Sequence, residues 1–289
     1  MTIQIREMRE ADVERCGGIC YAAFKEIAER HNFRPDFPTP EAAIQLTQAF
    51  FSSPDVFSVV AERDGEVVGS NHLWEYDAIR AVGPITVDPN AQAKGAGRLL
   101  MEAVIERGKQ KSSAGVRLVQ DSFNSTSLSL YASLGFEVRE PLALMEGQLE
   151  GDVPPDVTVR ALKAEDYASC AELCRVVHGF DRVNELKHTP PFLTSFVVIR
   201  DGRITGYASA PQFWALNHAV AETKSDMCAL LTGASNLLGE PISFLLPTRQ
   251  SILFRWCLQK GLRVLKPMTL MTTGAYQEPR SYYLPSVGY

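Results

Sequence analysis

The chain repeats itself, and two halves with the same pattern of residues must bury their apolar faces in the same way. IQIREMREADVERCGGIC from Ile3 and VTVRALKAEDYASCAELC from Val157 align without a gap. Arg6, Asp12, Cys16 and Cys20 fall on Arg160, Asp166, Cys170 and Cys174. Each copy reads as a short alternating strand, a turn with an acidic cap residue, and an amphipathic helix. Downstream, FSVVAERDGEVVGS from Phe57 resembles FVVIRDGRITGY from Phe196, each a strand, an Asp-Gly hairpin turn and a second strand holding Gly69 or Gly206. SLYASLGFEV from Ser129 matches RWCLQKGLRV from Arg255, a helix ended by Gly135 or Gly261 and then a strand. EGQLEGDVPPDV, from Glu146 to Val157, interrupts periodicity with glycines and paired prolines and suits a linker. The expected division is a first domain over 1–149 and a second over 156–289. Both are mixed α/β, and the first runs strand, helix, a helix from Thr39 to Ser53, three strands ending at Pro89, a glycine loop, helix, strand, helix, strand.

Composition narrows the setting. Hydrophobic residues at 45% and charged residues at 22% are ordinary for a globular chain of 289 residues. No stretch approaches the ~18 apolar residues of a membrane span, and the start MTIQIREMRE is unlike a secretory leader, so a cytoplasmic address is expected. A net charge of −5 without a dense basic run argues against a nucleic-acid partner. The six cysteines form no metal-ligand spacing. Cys16 with Cys20, and Cys170 with Cys174, share a helix face as small hydrophobes, and no metal is expected.

The sharpest local signal is ITVDPNAQAKGAGRLLMEAVIER from Ile85. An apolar strand ends at Pro89, small residues and glycines follow, and a helix begins near Gly97. Such a turn aims unpaired backbone amides at an anion, and the helix dipole favours a phosphate there. Gly95 and Gly97 allow close approach, while Lys94 and Arg98 either add charge or stand as solvated side chains. A third glycine of GxGxxG is missing, and so is the GK[ST] ending of a nucleotide P-loop.

The run Gln92-Ala93-Lys94-Gly95-Ala96-Gly97 fits QxxGxG, with Val87-Asp88-Pro89 before it. It resembles the acetyl-CoA pyrophosphate loop of the GNAT N-acetyltransferase superfamily. Asn124, and Tyr131 seven residues later with Gly135-Phe136 beyond, stand at that family's spacing. The resemblance implies two tandem domains, each a mixed, largely antiparallel sheet flanked by helices. It implies that Ile85, Thr86 and Val87 bond the pantetheine through their backbone, that Gln92 to Arg98 hold the diphosphate, and that Asn124 meets the thiol-bearing arm. Tyr131 becomes the acid that protonates the leaving thiolate. Read from its residue type alone, Tyr131 is a packing aromatic.

The second half departs from this pattern. Gln250 stands where Asn124 should be and Cys257 where Tyr131 should be, and AETKSDMCALLTGA from Ala221 holds no glycine pair. That half reads as a degenerate copy kept for packing, for walling the acceptor site or for dimerisation into a homodimer. Cys257, between Trp256 and Leu258 with no histidine nearby, reads as buried and inert.

The acceptor amine must lose a proton before it attacks. Glu75 and Asp77 in HLWEYD, which alternation puts on one face, and neighbouring His72 are the candidates, with edge-strand charge the plainer reading for each carboxylate; Glu75 is preferred. The loop HNFRPDFPTP from His31 is expected to cover the acceptor, although Phe33 and Phe37 also suit hydrophobic staples. The family includes some tandem enzymes whose terminal carboxylate serves as base, which points to Tyr289, with a tail that docks for packing alone the plainer reading. The expected activity is transfer of acetyl from acetyl-CoA to a small primary amine. A non-catalytic acyl-CoA sensor and a protein lysine acetyltransferase are the alternatives.

Overall fold

Two hairpins, one in each half, form for the same local reason. Asp64-Gly65 and Asp201-Gly202 all have positive φ (54°, 85°, 51° and 72°), the geometry of a tight two-residue turn that favours aspartate and glycine. The computed structural model describes residues 2–91 and 95–288. In chain order the first half holds β1 (Ile3–Glu7), α1 (Val13–Arg30), α2 (Pro40–Ser52), β2 (Val56–Arg63), β3 (Glu66–Trp74), β4 (Ile79–Val82), β5 (Thr86–Val87), α3 (Ala96–Gln110), β6 (Gly115–Asp121), α4 (Ser125–Ser133) and β7 (Glu137–Gly147). The second holds β8 (Val157–Ala161), α5 (Tyr167–His178), α6 (Val183–Lys187), β9 (Phe196–Arg200), β10 (Arg203–Ala208), β11 (Ala219–Ala221), α7 (Lys224–Leu238), β12 (Ile242–Pro247), α8 (Ser251–Gln259), β13 (Arg263–Gly274) and β14 (Tyr282–Leu284). This is the mixed α/β architecture expected, with mainly antiparallel sheets flanked by helices.

The chain packs as two units, and they do not follow the repeat boundary. The first comprises Met1–Leu118, Phe123–Glu137 and Thr272–Gly274; the second comprises Val119–Ser122, Val138–Met271 and Ala275–Tyr289. Strand pairing outranks loop composition here. β7 closes the first repeat in sequence, yet it pairs antiparallel with β12, from Leu142 opposite Pro247 to Gly147 opposite Ile242. In return, residues 272–274 lie in the first unit, where Gly274 approaches so closely that a Cβ would stand 2.8 Å from the carbonyl oxygen of Ala114. The linker at 148–156 therefore marks the end of a repeat and lies inside the second unit.

Within the first unit the strands run β1-β2-β3-β4-β6, with β5 added beside β3. Within the second, β14-β11-β10-β9-β8 form one sheet and β13-β7-β12 run side by side. Matching residues make matching contacts. Asp12 accepts from Arg6 Nη1 and Nη2 at 2.6 and 2.9 Å, and Asp166 accepts from Arg160 at 2.7 and 2.9 Å. Each aspartate also accepts the backbone N–H three residues before it, from Arg9 or Lys163. The paired guanidinium first, and the backbone bond after it, hold both carboxyls below the usual range of 3.8. Cys16, Cys20, Cys170 and Cys174 are buried and unbridged, as the helix spacing requires. Burial pushes Cys16 and Cys170 up to about 12 and Cys174 to about 11.

Gly69 and Gly206 mark the tightest correspondence. Gly69 faces Val87 of β5, and Asp88 donates to the Val68 carbonyl at 2.8 Å. Gly206 faces Ala221 of β11, and Glu222 donates to the Thr205 carbonyl at 2.9 Å. A Cβ on Gly69 would stand 2.6 Å from the Thr86 oxygen, and one on Gly206 would stand 3.0 Å from the Val220 oxygen. We expect Gly69→Ala to cost about 1–3 kcal/mol, the range for forcing atoms into a packed site. Denaturant unfolding should show it as a lower midpoint with an unchanged slope.

Candidate active site

The site begins where a strand leaves its neighbour. β4 runs parallel to β6 from Ile79 opposite Gly115 to Ala81 opposite Arg117, and the pairing stops there. Leu73 faces Val82 but Ser70 faces Thr86, so four steps along β4–β5 (82 to 86) oppose three along β3 (70 to 73). The extra residue makes a bulge, pinned where Gly83 donates to the His72 carbonyl at 2.9 Å and Trp74 Nε1 donates to the Gly83 carbonyl at 2.7 Å. Ile85 lies in that connection, half-buried. Beyond it β5 pairs with β3 and with no other strand among the described residues.

Backbone polarity follows from this register. Since Asp88 donates to β3, the alternation of a strand turns the N–H and C=O of Val87 to the opposite edge, where β4 and β6 have parted. A row of strand groups without a strand beside it can bind another extended chain. Of the three residues assigned this role from sequence, Val87 has the required orientation, while the backbone of Thr86 faces Ser70 on β3.

The helix that follows opens on an amide end that no side chain caps. Gly95, at φ 89°, is the N-cap of α3, and no acid stands in the first turn. Gly97 lies beside both neighbours, since a Cβ on it would stand 3.5 Å from Leu130 Cδ2 of α4 and 3.8 Å from Val87 Cγ2. Those are ordinary contacts, so packing alone does not demand a glycine at 97. Arg98 is exposed and donates to Ser133 Oγ of α4 at 2.7 Å. Gln92, Ala93 and Lys94 lie outside the described residues.

The α4 helix is started by Asn124, whose Oδ1 accepts from the Ser127 amide at 3.1 Å. Tyr131, the residue after Leu130, is buried, its ring centroid 6.2 Å from that of Phe136. Phe123, just before the cap, stacks on Phe33 at 4.4 Å and lies 5.0 Å from His31. Phe37 packs edge-on against Phe24 of α1. The 31–37 loop thus engages α1 through Phe37 and the residue before the α4 cap through Phe33 and His31. Phe123 was missed in the sequence because its partners are some ninety residues away and nothing local marks them.

The carboxylates behave otherwise than alternation suggested. β3 stops at Trp74, and Arg80 Nη1 draws the carbonyls of Glu75 and Asp77 into a bend, so the two side chains do not share a strand face. Glu75 accepts from Arg107 Nε at 2.9 Å and Nη2 at 3.1 Å. Both its oxygens are taken by a two-pronged guanidinium, which argues against a role as proton acceptor. His72 is buried, with Nδ1 2.8 Å from Ser58 Oγ, and burial lowers it to about 3.

The second half lacks this opening. Only Glu222 and Thr223 separate β11 from α7, where Asp88 to Gly95 separate β5 from α3. Thr223 Oγ1 accepts from the Asp226 amide at 3.1 Å, so the α7 start is capped by its own chain. Gln250 stands at the N-cap position of α8, as Asn124 does for α4, but its side chain makes no cap bond, and Cys257 is buried with its thiol raised to about 12, as its apolar neighbours implied. Tyr289 lies outside the described residues. Among those residues no cluster of His, Cys, Asp and Glu could hold a metal, and no helix is long and apolar enough to cross a membrane.

An open strand edge thus lies beside a glycine-started helix whose first turn no side chain caps, and comparison with known proteins gives this arrangement a context. The profile of the acetyltransferase (GNAT) family matches residues 22–136. A mycothiol acetyltransferase of Thermomonospora curvata is 37% identical over 78 residues, 27% of this chain and 26% of that protein. The chain thus spans about a quarter of that relative's length. A GCN5-related N-acetyltransferase from Sphaerobacter thermophilus superposes with a TM-score of 0.63 at 15% identity, covering 96% of each chain. A tandem GNAT protein from the clavulanic acid biosynthesis pathway superposes at 0.57 and 12% identity, over 96% of this chain and 100% of that one. At such identities the structural likeness is one of fold. The family likeness in sequence is therefore that of residues 22–136, within the first half.

The folded protein refuses the proton that an unfolded His72 takes up below pH 6.5. Its contribution to stability is therefore complete above that pH and is lost as pH falls toward 3. His218, also buried and held neutral chiefly by desolvation, acts in the same sense. Melting temperature should fall between pH 7 and pH 5, and His72→Gln should flatten part of that slope.

Proposed function

We propose that the first half transfers acetyl from acetyl-CoA to a primary amine of a small molecule by direct attack. The observation that carries the reading is the uncapped start of α3 beside the outward-turned backbone of Val87. A diphosphate fits the helix amides, as anions do at such ends, and a pantetheine arm fits a strand edge that lacks a partner. Gly97, which packing does not require, leaves the diphosphate room. Gln92, Ala93 and Lys94 complete the loop in this reading, with Arg98 adding charge at its end. Asn124, whose Oδ1 caps α4, would meet the arm in this reading.

The thioester supplies an activated acyl carbon. The amine nitrogen forms a bond to that carbon as the carbon–sulfur bond breaks, and backbone N–H groups near the bulge stabilise the charge gathering on oxygen. Tyr131 gives its phenolic proton to the departing sulfur. Neither Glu75 nor His72 suits removal of the amine proton, so the acceptor is expected to enter as the neutral amine, and the proton its nitrogen sheds as the amide forms passes to solvent while the Tyr131 phenol is restored. The matched relatives are named for mycothiol and not for a protein, which favours a small acceptor.

Tyr131→Phe should lower kcat by about 10²–10⁴-fold, the usual worth of a positioned acid, with coenzyme A affinity nearly kept. Equal losses of both would make the residue structural. Gly97→Ala separates packing from binding. Its melting temperature should hold or rise, since alanine suits a helix better, while calorimetry should show coenzyme A affinity down by roughly tenfold or more. A panel of amines that releases no free thiol from acetyl-CoA, despite normal coenzyme uptake, would reduce the protein to a sensor.

A further inference from the structure

The second half contains the same parting of strands as the first, and there the gap is filled. Ala221 matches Val87 in register, so its backbone also turns away from its hairpin partner. In the second half that edge meets β14, antiparallel, with Ala221 opposite Tyr282, Val220 opposite Tyr283 and Ala219 opposite Leu284. β14 also lies against β12, the counterpart of β6. Tyr283 and Leu284 are 4% and 1% exposed, and Ser286 is fully buried. Flanking residues secure the strand, with Ser281 Oγ donating to the carbonyls of Ala221 and Glu222 and Val287 donating to the Ala215 carbonyl at 3.0 Å.

One contact gives the filling its meaning. Gln250, at the Asn124 position, donates through Nε2 to the Tyr283 carbonyl at 2.6 Å. A pantetheine arm is an extended chain bearing amide groups, and so is a strand. We propose that β14 is an internal stand-in for that arm: it occupies the ancestral coenzyme cleft of the second half, held by the strand edge and by the side chain at the N-cap position that face the coenzyme in the first. The cleft is thereby a peptide-binding groove whose occupant is the chain's own C-terminal strand. This rests on the coenzyme reading of the first half for its comparison, and on the second half alone for its contacts. It follows that the chain takes up one coenzyme A and not two.

The test uses the full chain. Gln250→Ala removes the side-chain grip on Tyr283 while leaving the strand pairing. Amide exchange followed by mass spectrometry should show residues 282–284 opening faster, by about tenfold for the loss of one such bond, with β8–β9 unaffected. Unchanged exchange at 282–284, or equal acceleration throughout the second unit, overturns the proposal. Calorimetry of the unaltered chain supplies the second arm. One coenzyme A per chain, with no faster exchange of 282–284 at saturation, is the expected result, whereas two per chain or release of 282–284 overturns the proposal. Absence of any uptake sinks the coenzyme reading of the first half, and the Gln250→Ala comparison then decides the grip on β14 by itself.

Discussion

The site depends on β5 lying against β3 closely enough to leave β6 behind. That approach is possible because Gly69 has no side chain to strike the Thr86 carbonyl, and because a bulge before Thr86 shifts the register by one residue. Everything proposed for the first half follows from the edge this exposes. The strand aims Val87 outward, its chain runs on toward α3, and α3 brings its uncapped end beside α4.

The two halves keep their scaffolding and differ at their edges. The Arg–Asp pair under the first helix, the Asp-Gly hairpin, the close-packed glycine and the glycine-ended helix recur with nearly the same distances. These are contacts that hold a sheet and its helices together. What changed are the groups that would face a ligand. The loop before the helix is gone, the helix start is capped by Thr223, the phenol is replaced by a buried thiol, and the open edge carries β14.

Much of this was legible in the sequence, and the rest has identifiable reasons for being hidden. Asp64-Gly65 and Asp201-Gly202 declare their turns because few residues accept positive φ. Thr39-Pro40 begins α2, and Gly135 and Gly261 end α4 and α8, for equally local causes. Arg107 is another matter. Its hold on Glu75 joins residues 32 apart, and neither carries a local sign of the other. The bend after Trp74 was hidden because it depends on Arg80, whose bonds go to carbonyls that every residue possesses. The pairing of β7 with β12 could not be read either, since strand periodicity reports which face is buried and not which neighbour lies alongside. The QxxGxG run and the Asn–Tyr spacing were readable as a resemblance, and the roles it implies for Gly95, Gly97 and Asn124 belong to the proposed function.

The cysteines carry a practical consequence. Five of the six are buried, Cys228 is half-buried, and desolvation raises every one of them above the ordinary thiol value. Thiolate is the reactive form, so the native chain presents almost none of it at neutral pH. A colorimetric thiol reagent would then see released product against a nearly silent protein background. The same reagent would turn into a gauge of unfolding as soon as the helices that shelter those sulfurs come apart.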